Sequence, residues 1–146
     1  DLTKADSKVT KLKEQELWDD EKAFPEILKE KVFIKHINGP LFFGSTSHFQ
    51  ELAAQVPNEA SHVIFRMGRV PYTDQSGLYA LEEVLLDLEK RNIHPLMVGV
   101  QRQPFYLMQS IDIVPSLIPE DHFFETFGDC IKWLANNGLA KIKDAK

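Results

Sequence analysis

The stretch from Val63 to Arg91, VIFRMGRVPYTDQSGLYALEEVLLDLEKR, constrains the fold more than any other part of the chain. Val63, Ile64 and Phe65 form an apolar run that continues through Met67 and Val70, the pattern of a buried strand. A polar turn follows, Tyr72-Thr73-Asp74-Gln75-Ser76-Gly77. Leu78, Leu81, Leu85 and Leu88 then recur at helical spacing and give one apolar stripe. A strand that feeds a helix through small residues places the turn at the C-terminal edge of a sheet. The first turn of that helix offers unpaired backbone N–H groups and the positive end of a dipole, a setting that suits an anion or a partner's carboxylate.

The remaining segments repeat this alternation. Lys31–Ile37 is rich in Val, Phe and Ile and predicts a strand, broken by Asn38-Gly39-Pro40. Leu41-Phe42-Phe43-Gly44 follows, and Ser47 with Gln50 three residues on fits a capping box for a short helix stopped by Pro57. Asn92 is placed to cap the helix begun at Ser76, and Pro95–Val100 predicts another buried strand. Pro104 suits the first position of a helix reaching Ser110. Leu117-Ile118 is a candidate edge strand, and Asp121 a candidate cap for a last helix with Phe123, Phe127, Cys130, Ile131 and Leu134 on one face. Strands alternating with helices through short turns indicate one α/β domain with parallel pairing over at least part of its sheet.

At either end the pattern fades. Residues 1–30 carry an acidic run, Glu14, Glu16, Asp19, Asp20 and Glu21, and read as a linker that becomes a partly docked arm. The acidic cluster is taken as a solvated face, because no histidine or second set of carboxylates completes a metal site. Residues 139–146 form a basic tail that frays. A chain of 146 residues can bury a full core, and a net charge of −5 argues against a nucleic-acid polymer as partner. Cys130 is the single cysteine, so no intrachain disulfide can form; a buried small residue in a reducing, cytoplasmic setting fits it. The absence of an initiating methionine at Asp1 suggests a piece of a longer protein.

No catalytic constellation emerges. The five histidines, His36, His48, His62, His94 and His122, have no metal-site spacing and read as surface or strand-end residues. Gln75-Ser76-Gly77 lacks the first glycine of a nucleophile elbow, and neither phosphate-binding glycine fingerprint occurs. The sequence therefore calls for no cofactor, no metal and no catalytic residue. Asp74 or Ser76 is expected to cap the helix, worth about 1 kcal/mol. The segment Gly39-Pro40-Leu41-Phe42-Phe43-Gly44 is expected to be core or a lid, and Pro104–Met108 offers an apolar face suited to docking.

Two of these stretches together carry a resemblance. Ile37-Asn38-Gly39-Pro40-Leu41-Phe42-Phe43-Gly44, and Tyr72-Thr73-Asp74-Gln75-Ser76-Gly77-Leu78 continuing into Ala80-Leu81-Glu82, resemble the STAS family (sulphate transporter and anti-sigma-factor antagonist). The similarity runs from Val32 to Asn136 and points to the C-terminal domain of a SulP-type anion transporter. It implies an α/β fold with a mixed sheet of about four or five strands flanked by about four or five helices. It divides the chain into an arm at 1–30 after a transmembrane domain, a STAS domain at 31–138 and a flexible tail at 139–146.

The family resemblance also implies a non-catalytic regulatory domain on the cytoplasmic face of the inner membrane, within an integral membrane carrier of sulphate or bicarbonate. The transmembrane domain of the same polypeptide would be its partner. Acyl carrier protein, a nucleotide and a homodimer of the full carrier are further candidates. In the anti-sigma-factor antagonist branch the serine before the glycine is the phospho-acceptor, which here is Ser76. Ser45, Thr46, Ser47, Thr73, Asp74, Gln75 and Gly77 complete the candidate contact set for a partner, small anion or nucleotide. The alternative is a cytosolic antagonist switched at Ser76. Gln75, where that branch commonly has a small residue, and the acidic arm both favour the transporter.

Overall fold

A computed structural model describes residues 17–25, 28–41 and 46–138; for 46–50 and 138 only the backbone is described. Four strands, β1 (Val32–Asn38), β2 (His62–Arg69), β3 (His94–Val98) and β4 (Phe123–Phe124), lie side by side in sequence order. Every pairing is parallel, so among the described residues the sheet contains no antiparallel strand. Three helices make the crossovers: α1 (Thr46–Gln55), α2 (Gln75–Lys90) and α3 (Arg102–Ser110). Right-handed crossovers between successive neighbours carry all three helices onto the same face. A fourth helix, α4 (Phe127–Trp133), runs into a π-helical turn at Leu134–Gly138.

Strand alternation sorts the interior into two cores. Val63, Phe65 and Met67 of β2 join Met97 of β3 and the α2 stripe, Leu78, Leu81, Leu85 and Leu88, on the crossover face. Ile64, Leu96 and Val98 point the other way and meet Phe127, Cys130 and Leu134, together with Phe24 and Leu28 from the N-terminal segment. Burial pushes the Cys130 thiol up to about 12. It is therefore an inert core residue.

Helices α2 and α3 end in the same way. Asn92 takes the left-handed conformation (φ 58°), while Ile93 N–H donates to Leu88 O at 2.9 Å and Asn92 N–H to Glu89 O at 3.0 Å. That is a Schellman cap, closed by the apolar pair Leu88 and Ile93. Asp112 (φ 63°) repeats it after α3, with Ile113 N–H donating to Met108 O at 2.9 Å.

Several sequence expectations need correction. Leu117 and Ile118 are not a strand: both N–H groups donate to Ile113 O in a turn, and the edge strand is Phe123–Phe124. Phe123 accordingly lies outside the last helix, which is capped by Thr126 accepting from Asp129 N–H at 3.1 Å rather than by Asp121. Asp121 sits in a 3-10 turn at Glu120–His122. Helix α3 begins at Arg102, which puts Pro104 at its third position, still within the first turn where no intrahelical donor is required. The Ser47 capping box and the residues Phe42, Phe43 and Gly44 fall outside what the structure describes.

Candidate functional site

The turn at Thr73–Gly77 is fixed from three directions. Asp74 is the N-cap of α2, its Oδ1 accepting from Gly77 N–H at 2.7 Å. Asp74, not Ser76, holds the cap. Leu41, at the end of the loop leaving β1, runs beside the turn: its N–H donates to Tyr72 O at 2.9 Å, and its carbonyl accepts from Asp74 N–H at 3.1 Å. From α3, the Gln103 amide clamps the Thr73 backbone, accepting its N–H and donating to its carbonyl, both at 2.9 Å. Thr73 is fully buried, its hydroxyl donating to Asp74 O at 3.1 Å.

Gly77 is a requirement of this packing. A Cβ there would stand 2.7 Å from Leu41 O and 2.9 Å from both Leu41 C and Thr73 Oγ1. The glycine lets the helix start press on the neighbouring loop backbone, which ties the two halves of the sequence signature together.

Of the candidate residues, Thr73, Asp74, Gln75, Ser76 and Gly77 therefore share one compact turn at the C-terminal edge of the sheet. Gln75 is exposed and Ser76 half-buried, with Tyr72 and Tyr79 exposed on either side. Thr46 and Ser47 begin α1, described by backbone alone, and Ser45 lies outside the described residues. Sequence reading missed Gln103, because a clamp between residues 30 apart leaves no local signal.

Comparison with known proteins gives this geometry a family. The family model for the STAS domain matches residues 27–130, most of the chain. The chain belongs to the STAS domain family. It is 31% identical over 90 residues to the putative sulfate transporter YvdB of Bacillus subtilis (strain 168), which covers 61% of this chain. The match spans only 17% of that relative's length. A sulfate transporter family protein from Wolinella succinogenes superposes with a TM-score of 0.69 at 26% identity, over 82% of this chain and 93% of that one. The SulP transporter STAS domain of Vibrio cholerae gives 0.66 at 22% identity, over 81% and 88%. The fold is shared also by a putative anti-sigma factor antagonist from Thermotoga maritima (TM-score 0.57, 12% identity, 71% and 87%).

A second polar cluster lies on the opposite face of this STAS domain, where the segment preceding residue 27 meets the sheet. His36 of β1 and Arg66 of β2 stand directly opposite each other in register, on the face otherwise made of Ile64, Leu96 and Val98. Two nitrogen-rich side chains side by side on an apolar face demand an anion. Glu21 supplies it: fully buried, its Oε2 lies 2.8 Å from His36 Nε2 and accepts from Arg66 at 2.9 Å. Its Oε1 accepts from the Trp18 N–H at 3.1 Å. Asp20 takes the remaining fork of Arg66 in two 2.8 Å hydrogen bonds.

The Arg66 guanidinium is also sandwiched, 4.5 Å from the Trp18 ring centroid and 4.7 Å from that of Phe127. The Arg69 guanidinium also lies over the Trp18 ring, 4.1 Å from its centroid. Burial alone would lower the Arg66 pKa, but Asp20 and Glu21 outweigh it and hold the group above its ordinary value. The hydrogen bonds from Arg66 in turn hold the Asp20 carboxyl below the usual aspartate value.

This cluster corrects two expectations. Glu21 is not part of a solvated face, although Asp19 and Asp20 remain exposed. His36 is an interior strand residue rather than a surface or strand-end one. The missed signal was Arg66 itself, a lone charge in the middle of the buried run Val63–Met67. No group of three or more His, Cys, Asp or Glu side chains that could hold a metal occurs among the described residues.

Proposed function

We propose that this chain is the regulatory domain of a SulP-type secondary anion carrier, that it performs no chemistry of its own, and that it acts through contacts at the Thr73–Gly77 turn. The observation that carries the reading is the clamped turn itself. Its backbone is held by Leu41, Asp74 and Gln103, while Gln75 and the flanking Tyr72 and Tyr79 are exposed and Ser76 is half-buried. A rigid polar edge bounded by exposed aromatics suits recognition of another surface. STAS membership, and the small fraction of the sulfate-transporter relative that the chain spans, support a domain within a longer carrier.

In this reading the domain comprises residues 31–138, and the arm at 1–30 connects it to a transmembrane domain of the same polypeptide at the cytoplasmic face of the inner membrane. None of the described helices is itself long and apolar enough to cross a membrane. Sulphate or bicarbonate is the transported anion. The transmembrane domain is the first partner of the turn, and the carrier works as a homodimer. A small anion, a nucleotide or acyl carrier protein are the further ligands to try, at Thr73–Gly77 and the Ser45–Ser47 helix start.

The test is anion flux and surface abundance of the intact carrier with Ser76→Asp and Ser76→Ala. Adding a charge beside the Asp74 carboxylate should reduce flux at unchanged abundance, while the alanine leaves it near the parent value. Unchanged flux for Ser76→Asp, together with unchanged flux on deletion of the whole domain, overturns the reading. The fold shared with an antagonist keeps one rival in view, a cytosolic partner switch phosphorylated at Ser76. Stoichiometric phosphorylation of Ser76 by a partner kinase, in a protein lacking membrane spans, would decide for that rival.

A further inference from the structure

We propose that His36, Arg66, Arg69 and Phe127 form a recognition site for an aromatic–acidic segment, and that the chain's own Trp18–Glu21 occupies it as a detachable latch. The ligand chemistry is written in the contacts. Asp20 engages the Arg66 fork with two hydrogen bonds, Glu21 bridges Arg66 and His36, and the Trp18 ring lies against Arg66, Arg69 and His36. A planar fork that meets a carboxylate with both arms fixes register as well as affinity. The segment is thus read by position, residue by residue.

Detachability follows from how little of the latch is core. Between Leu17 and Lys22, Glu21 alone is buried; Leu17, Asp19, Asp20 and Lys22 are exposed. The apolar anchors come afterwards, at Phe24 and Leu28, which belong to the core beside Phe127. Exposed Lys22 and Ala23 separate the two parts and leave a place to bend. The latch is held by charge and stacking, the anchor by burial.

That division has an energetic consequence. When the whole latch lifts, Asp20, Glu21, Arg66 and His36 all regain water, so the attraction lost is largely offset by hydration recovered. Removing one partner while the rest stays docked leaves an uncompensated buried charge instead. Undocking is therefore cheap where point truncation is expensive, which is the property of a contact meant to open. The latch does not depend on a transporter domain preceding it.

Native-state hydrogen exchange of the full 146-residue chain tests the first half. Amides of residues 17–22 should exchange through a local opening that is insensitive to low urea, while β2 and β3 exchange only on global unfolding. A common urea dependence for both would show an inseparable part of the core and overturn the latch. In the Asp20→Asn/Glu21→Gln double variant, protection at residues 17–22 should fall by about tenfold or more with β2 unchanged.

Titrating a synthetic peptide of residues 17–25 into that double variant tests recognition. Saturable binding is expected, and it should disappear when Asp20 and Glu21 of the peptide are replaced by their amides or when Arg66→Met is added to the protein. No binding, or binding indifferent to Arg66, overturns the site.

Discussion

Gly77 stands where an alanine methyl would have to enter the backbone of the adjacent loop, 2.7 Å from Leu41 O. Neither side can yield easily, because Leu41 is itself bonded to Tyr72 and Asp74. Gly77→Ala should cost about 1–3 kcal/mol by overpacking, read as a lowered urea midpoint with an unchanged slope. Gly68→Ala, whose methyl meets open space, is the control and should change stability by less than about 0.5 kcal/mol. Equal losses for the two would refute the close-approach explanation. At this scale the sequence was half legible. A D-x-S-G turn announces a helix start, and Asp74 is a preferred cap. That glycine rather than alanine follows the serine depends on Leu41, more than thirty residues away, and no local pattern contains that contact.

Helix α3 shows how an element acquires a role from one side chain. Its Pro104–Met108 stretch reads as an apolar face suited to docking; in the structure Met108 is buried in the core and Phe105 lies edge-on to Phe123 at 5.1 Å between centroids. Its first turn, however, reaches across to hold Thr73 through Gln103. Gln103→Leu should cost about 1–3 kcal/mol, since the Thr73 N–H and carbonyl lose both partners in a part-buried setting. Gln103→Glu keeps an acceptor for the N–H but offers none of the donors the carbonyl needs, so its loss should be intermediate at neutral pH. The measurement is chemical unfolding alongside exchange of the Thr73 amide; an amide no faster in Gln103→Leu would mean the clamp is incidental. Elements of ten or more residues were readable from period alone, as the Leu78–Leu88 stripe illustrates. The two-residue strand Phe123–Phe124 has no period to read, and its paired aromatics sit equally well on a helix face. Asp121, read as the cap, lies instead in the 3-10 turn before that strand, and the helix starts five residues later at the Thr126 cap.

Across the whole molecule the sheet separates two kinds of cohesion. The crossover face is sealed by α2 with an apolar stripe, whereas part of the other face is closed by the ion cluster at Arg66. Only the second should respond to acid through Asp20. The folded pKa of Asp20 lies below its ordinary value of 3.8, chiefly because of the Arg66 hydrogen bonds. Above 3.8 the folded and unfolded carboxyls are both ionised, and the stabilisation is fully present. As pH falls from 3.8 through the depressed folded value, the unfolded form binds a proton first and the contribution disappears. Trp18, with both Arg66 and Arg69 over its ring, is the reporter, with Trp133→Phe removing the other indole. Trp18 fluorescence should show a step below pH 3.8, at a pH where far-ultraviolet dichroism from the helices is still near its native value. Asp20→Asn should abolish the acid dependence of that step and undock the segment partly at neutral pH, because the amide keeps the shape but not the charge that Arg66 requires. If the helical signal and Trp18 instead move together in the parent chain, the two faces are one cooperative unit, and the charge cluster is as integral to the fold as the leucine stripe.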